Sequence, residues 1–218
     1  MTRPLDAVLF DFGGVFIDSP FAVMKQGAAR LGMPVELLSS VMFGSYDRDD
    51  DHPWHRLERG EVGLEDARSE IVGLAREAGL HGVDPFDVLS SLSGSSHGPR
   101  GFVVELVADL RHAGLKTGIV TNNVAEFAPM WRPILPLDEL FDDVVDSSEV
   151  GVRKPNPAIF ELACRRLDIE PSRALFIDDF EGNVVGARSA GLAGLCCGYT
   201  LDTTSEAVEE IRRLVRLR

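Results

Sequence analysis

Ala7-Val-Leu-Phe-Asp-Phe-Gly-Gly-Val15 decides the architecture, because a short apolar run that stops at an aspartate and two glycines reads as a buried parallel strand ending in a turn. Outward from it the same pattern recurs. Apolar residues at 103, 106, 107 and 110 keep helical spacing up to Gly114, and Lys116-Thr-Gly-Ile-Val-Thr-Asn-Asn123 then reads as a second strand. A strand is expected around Val144-Val-Asp146, followed by a helix with Asn156 as cap and Pro157 at its first position. Ala174-Leu-Phe-Ile-Asp-Asp179 is a further strand ending in acids, Asn183 to Ala190 is helical and closed by Gly191, and Ala193 to Cys197 is a last strand. The final helix is expected to open on a capping box from Thr203 to Glu206 and to keep Val208, Ile211, Leu214 and Val215 on one face. Strands alternating with helices predict an α/β fold, a doubly wound parallel sheet whose ligand site lies beyond the carboxyl ends of the strands.

Between Asp18 and Pro99 the character changes. Ala22 to Leu31, Val35 to Phe43, Leu64 to Ala78 and Pro85 to Leu92 read as helices with no strand among them, which predicts an inserted helical unit. The expected division is an α/β core over 1–17 and 97–218 and a helical cap over 18–96, with Ser93-Gly-Ser-Ser-His-Gly-Pro99 as a hinge of small residues.

Bulk properties exclude several classes. A chain of 218 residues that is 44% hydrophobic and 26% charged has an ordinary globular composition, and no apolar run approaches the roughly 20 residues that a membrane span requires. The N-terminal residues lack the pattern of an export signal, so a cytoplasmic location is expected, and Cys164, Cys196 and Cys197 suit free thiols better than a disulfide framework. A net charge of −13 disfavours nucleic acid as a partner but permits a small phosphorylated one, since a local lysine and a cation outweigh a distant field. The expected assembly is a monomer or a homodimer.

Four polar clusters fall at strand ends or before a helix: Asp11 with Gly13, Thr121 with Asn122, Lys154, and Asp178 with Asp179. Taken singly, each has a bland reading as a turn, a cap or a solvated charge. Jointly they place three carboxylates at one sheet edge, where they repel one another unless a hard cation such as magnesium neutralises them. An aspartate there can attack phosphorus, Thr121 and Asn122 can donate to phosphate oxygens, and Lys154 can offset charge on nucleophile and substrate.

Asp11-Phe-Gly-Gly-Val, Ile119-Val-Thr-Asn122, Lys154-Pro-Asn-Pro-Ala-Ile-Phe160 and Phe176-Ile-Asp-Asp-Phe-Glu-Gly-Asn-Val184 resemble the four successive motifs of the haloacid dehalogenase superfamily. The region between the first two, including Trp54-His-Arg-Leu-Glu-Arg-Gly-Glu-Val62, is similar to that family's helical cap. The subgroup most resembled includes the phosphatase domain of bifunctional epoxide hydrolases and related sugar-phosphate phosphatases. The resemblance implies a magnesium-dependent phosphatase with Asp11 as nucleophile and metal ligand, the Gly13 carbonyl as second ligand, Asp179 as third, and Asp178 acting through a metal-bound water.

Gly13 departs from the pattern, because phosphatases of this family usually carry a general acid–base aspartate there, and such catalysis contributes about 10² to 10⁴-fold. A glycine also leaves room for a positive φ that aspartate would tolerate poorly. Two alternatives follow: a metal-independent dehalogenase whose halide needs no proton, and a non-catalytic phosphate-binding protein. His52 and His55 lack a third metal ligand and are read as surface or cap residues, Phe43, Tyr46 and Trp54 receive no role, and Gly13-Gly14 lacks the further glycine of a dinucleotide loop.

Overall fold

The computed structural model describes residues 5–93 and 98–216. Strand β1 (Ala7–Phe10) lies at the centre of a five-stranded sheet. It pairs with β2 (Lys116–Thr121) on one side, Phe10 opposite Ile119, and with β4 (Ala174–Asp178) on the other, Phe10 opposite Ile177. Strand β3 (Asp143–Asp146) extends the sheet beyond β2 and β5 (Ala193–Cys196) beyond β4, so the order is β3-β2-β1-β4-β5 with every pairing parallel. The winding reverses at β1, which makes the carboxyl end of that strand the topological switch point. Asp11, Thr121 and Asp178 stand at this one edge.

Central strands covered on both faces are apolar without interruption, as all four buried residues of β1 are. Val8 and Phe10 face one layer, where α6 (Gly101–His112) and α12 (Leu201–Leu214) contribute Val103, Leu106, Val107, Leu110, Val208 and Ile211. Leu9 faces the other, against Ile159, Phe160 and Ala163 of α10 (Pro157–Arg166) and Ala187 of α11 (Glu181–Ser189). Each fully buried Val, Leu, Ile or Phe contributes about 1.5–3 kcal/mol, so the two layers supply the main drive for folding.

Between β1 and α6 run α1 (Pro20–Leu31), α2 (Val35–Phe43), α3 (Pro53–Glu58), α4 (Leu64–Glu77) and α5 (Pro85–Ser93). Their apolar faces meet one another in a separate cluster with Met24, Leu38, Met42, Trp54, Leu57, Ile71 and Phe86 at its centre. On α4 the buried residues are Ala67, Ile71 and Ala75, one stripe at four-residue spacing. Three short helical turns, α7 (Ala128–Trp131), α8 (Leu137–Leu140) and α9 (Ser147–Val150), flank β3. Among the described residues no helix is long and apolar enough to cross a membrane, and all three cysteines are free.

The structure departs from the sequence reading in several places. Helix α3 is too short for periodicity to reveal, although its start is signalled: Pro53 sits at the first turn and the His52 ring nitrogen accepts the Trp54 N–H. Helix α12 is capped by Thr200, not Thr203; Thr203 instead returns its hydroxyl to the cap as the third helical residue. Its buried face runs through Thr204, Ala207, Val208 and Ile211, which leaves Leu214 largely in solvent. Of the expected hinge, residues 94–97 lie outside the described residues.

Helix α11 fixes the loop that carries Lys154. Gly186 lies so close to that loop that a Cβ there would stand 2.2 Å from the Pro155 carbonyl oxygen, a backbone atom that cannot swing away. Gly186→Ala should therefore cost about 1–3 kcal/mol through overpacking. Urea denaturation measures it, and an unchanged midpoint would show that helix and loop separate freely.

Candidate active site

Asp11 leaves β1 while its N–H still donates to the Ile177 carbonyl at 2.9 Å, so the strand ladder sets where its carboxylate begins. Lys154 arrives from the loop before α10, and its Nζ lies 2.8 Å from Asp11 Oδ1 and 2.7 Å from Asp178 Oδ2. All three side chains are buried. Asp178 is held further by Asn183 Nδ2, which donates to both carboxylate oxygens at 3.2 and 3.1 Å, and by the Phe180 N–H at 2.8 Å. Asp179, one residue on, has no such set: its Oδ2 is buried without a hydrogen-bond partner. One ligand atom from each of Asp11, Asp178 and Asp179 falls within 4.8 Å of the others.

Three buried carboxylates thus face one ammonium. Burial pushes Asp11 up to about 7, with Lys154 opposing the rise and Asp178 adding to it. Burial, then Asp178 and Asp11, raise Asp179 well above the carboxylate range. Burial works against the Lys154 charge, yet Asp11 and Asp178 together hold its pKa above the usual lysine value. A buried oxygen without a donor, in a cluster with excess negative charge, matches the oxygen-ligand chemistry of a hard divalent cation.

The two glycines after Asp11 differ in kind. Gly14 has φ +76°, and a Cβ there would lie 2.1 Å from the Asp179 carboxylate, so the bare backbone at 14 is what lets that carboxylate in. Gly13 is not at positive φ, and a Cβ at 13 would meet nothing closer than Pro20 Cδ at 3.5 Å. The strained conformation considered for Gly13 therefore belongs to Gly14.

Thr121 is buried at the end of β2. The Asn122 side chain has partners of its own: its Oδ1 accepts the Lys154 N–H at 2.8 Å and its Nδ2 donates to the Lys154 carbonyl at 3.0 Å, so it clamps the lysine's backbone. A further acid on this edge, Asp146, caps α9 through the Ser148 N–H at 3.0 Å.

Sequence reasoning missed a second buried pair beside the first. Arg153 reaches out of the core to Glu58 on α3, Nε to Oε2 at 2.7 Å, and its guanidinium lies 4.7 Å from the centre of the Tyr46 ring. Tyr46 donates to the other oxygen of Glu58 at 2.7 Å and receives a long contact from Asn122 Nδ2 at 3.4 Å. Phe21 on α1 stacks on Phe180, the residue after Asp179, at 5.1 Å and 18°. The only sequence signal for Arg153 was its place next to Lys154. His55, expected at a surface or in the cap, is completely buried with Nε2 2.8 Å from the Phe43 carbonyl; burial and the nearby Arg153 lower its pKa to about 4, so it is neutral and structural.

The haloacid dehalogenase-like hydrolase family matches residues 5–191. The chain belongs to that family. Among relatives of these hydrolases, acyl-CoA dehydrogenase family member 10 of Mus musculus is 33% identical over 219 residues, which is 98% of this chain and 19% of that protein. Pyrophosphatase PpaX of Bacillus thuringiensis is 35% identical over 99 residues, 45% of this chain and 46% of that protein. The chain thus spans about a fifth of the first, and its match reaches about half of the second. Two solved structures share the fold. A family enzyme from Bacteroides thetaiotaomicron, in complex with magnesium and inorganic phosphate, superposes with a TM-score of 0.58 at 19% identity over 89% of this chain and 95% of that one. L-2-haloacid dehalogenase from Xanthobacter autotrophicus, with chloropropionic acid covalently bound, gives 0.59 at 19% over 98% and 88%. The α/β architecture read from its strands is the one the structure has.

Proposed function

We propose that this hydrolase is a magnesium-dependent phosphatase that acts on a small phosphorylated metabolite through an aspartyl-phosphate at Asp11. The observation that carries this reading is the unpartnered Asp179 Oδ2 within a buried three-carboxylate cluster whose single cation is Lys154. A dehalogenase needs no metal and gains nothing from that surplus of acid. The likeness to a pyrophosphatase and to a fold neighbour holding magnesium and phosphate supports a phosphorylated substrate.

In this account Asp11, Asp179 and the Gly13 carbonyl hold the cation, and Asp178, already committed to Lys154 and Asn183, takes part through water. The bound cation supplies positive charge to carboxylates and phosphate that would otherwise repel. Lys154 orients the Asp11 carboxylate and keeps it ionised at the moment of attack. An Asp11 oxygen forms the bond to phosphorus as the bond to the leaving oxygen breaks, and water then cleaves the acyl phosphate to return Asp11 and inorganic phosphate. The Thr121 hydroxyl donates to a phosphate oxygen, while the Asn122 side chain sets the lysine's position through its backbone. Residues 18–96 act as a cap, and the Glu58–Arg153 pair with the Phe21–Phe180 stack hold it closed over the buried site, excluding water. The free thiols suit the reducing cytoplasm.

Chelation should remove p-nitrophenyl phosphatase activity and magnesium restore it, and Asp11→Asn should abolish turnover with the fold intact by circular dichroism. Full turnover of the phosphate ester in metal-free buffer would contradict the metal-dependent mechanism and point to another chemistry.

A second expectation concerns the missing proton donor. Without an acid at 13, rates across phosphate esters of similar shape should fall steeply as the leaving-group pKa rises. Because Gly13 has ordinary φ and space for a Cβ, Gly13→Asp should fold normally and flatten that dependence. Equal rates for alkyl and aryl esters in the wild type, with chemistry limiting, would contradict it.

A further inference from the structure

The loop that carries Asp11 leaves the sheet, so its carbonyl groups lose the ladder partners that satisfy backbone inside a strand. One turn closes it locally, the Phe16 N–H donating to the Phe12 carbonyl at 3.0 Å. The Gly14, Val15 and Phe16 carbonyls are met from far along the chain. Arg100, which caps α6 where the chain returns from the five helices, donates through Nη1 to the carbonyls of Gly14 and Val15, the latter at 3.2 Å, and to Thr204 Oγ1 on α12 at 3.0 Å. Its own N–H donates to the Phe16 carbonyl at 2.7 Å.

A salt bridge does not account for this placement. The acid nearest to the buried guanidinium, Asp18, is 3.7 Å away with its side chain mostly exposed, and such pairs contribute little. The guanidinium's hydrogen bonds to the loop all come from Nη1 and go to main-chain oxygens. Gly14 is also the residue whose bare Cα admits the Asp179 carboxylate, and its torsions set the direction of the Gly13 carbonyl.

We infer that Arg100 is a positioning residue that holds the Asp11–Phe16 loop in the conformation able to bind the cation, acting through the Gly14 and Val15 carbonyls. The inference rests on the magnesium-phosphatase reading. It also gives the return strand from the helical unit a direct grip on the nucleophile loop, since Arg100 and Asp18 stand on the two chain crossings between that unit and the sheet.

The test is magnesium affinity by titration calorimetry on Arg100→Ala and Arg100→Lys, read beside kcat and KM for p-nitrophenyl phosphate. Both variants should bind magnesium about 10–100-fold more weakly, the usual effect of losing a group that orients a ligand. Turnover should fall in kcat with KM little changed, and millimolar guanidinium chloride, but not sodium chloride, should restore affinity and kcat to Arg100→Ala. If Arg100→Ala does not fold, Arg100→Lys decides alone, because the lysine ammonium ends one bond short of the position from which Nη1 reaches both carbonyls. Wild-type magnesium affinity in either folded variant would overturn the proposal, as would a loss in Arg100→Ala that guanidinium leaves untouched. A wild type that binds magnesium yet hydrolyses no phosphate ester would defeat the phosphatase reading, while the affinity measurement would still decide Arg100.

Discussion

The Lys154 ammonium lies within hydrogen-bonding distance of Asp11 and Asp178 at once, and the rest of the site is arranged around that contact. Asp11 follows β1 and Asp178 ends β4, neighbouring strands whose parallel pairing brings both acids to one edge. Burying ions costs several kcal/mol each, which the mutual attraction repays only with good geometry and further hydrogen bonds. Asp178 has them from Asn183 and Phe180, whereas the Asp179 Oδ2 has none. The fold thus neutralises part of its own charge and leaves a remainder suited to a ligand, a case of local instability kept where chemistry is needed.

The lysine is in turn held by its own surroundings. Asn122 clamps its backbone from β2, α11 presses on Pro155 through Gly186, and Arg153 ties the same loop to Glu58 on α3. A single loop before α10 is therefore gripped by the sheet, by a covering helix and by the helical unit. On the proposed reading of the helical unit as a cap, its contact with the core and the placement of the lysine are linked, since Arg153 and Lys154 are adjacent in the chain.

Much of this was legible in the sequence, for a definite reason. Strands β1, β2 and β4 are apolar runs that end in polar residues, and parallel topology alone carries those ends to a common edge. The short-range caps at Asn156 and the stripe on α4 were likewise readable. What escaped depends on contacts between residues distant in the chain. Glu58 and Arg153 are 95 residues apart, and neither has a neighbour that announces the other. The demand for glycine at 14, with the unusual φ expected at 13, comes from Asp179 just beyond another strand. Helix α12 opened earlier than expected because Thr200 and Thr203 cap it reciprocally, a pattern the Thr203–Glu206 spacing imitates three residues on.

The central claim is that the aspartate cluster carries more negative charge than Lys154 can balance and is completed by a divalent cation. With Asp11 raised to about 7 and Asp179 also raised by burial beside two other carboxylates, the metal-free site holds protons that the cation must displace. Calorimetric titration of magnesium at pH 7, repeated in buffers of different ionisation enthalpy, counts them directly. The account predicts measurable proton release on cation binding, with affinity that rises with pH and is lost in Asp179→Asn. Binding without proton release, or binding that survives Asp179→Asn unchanged, would contradict it.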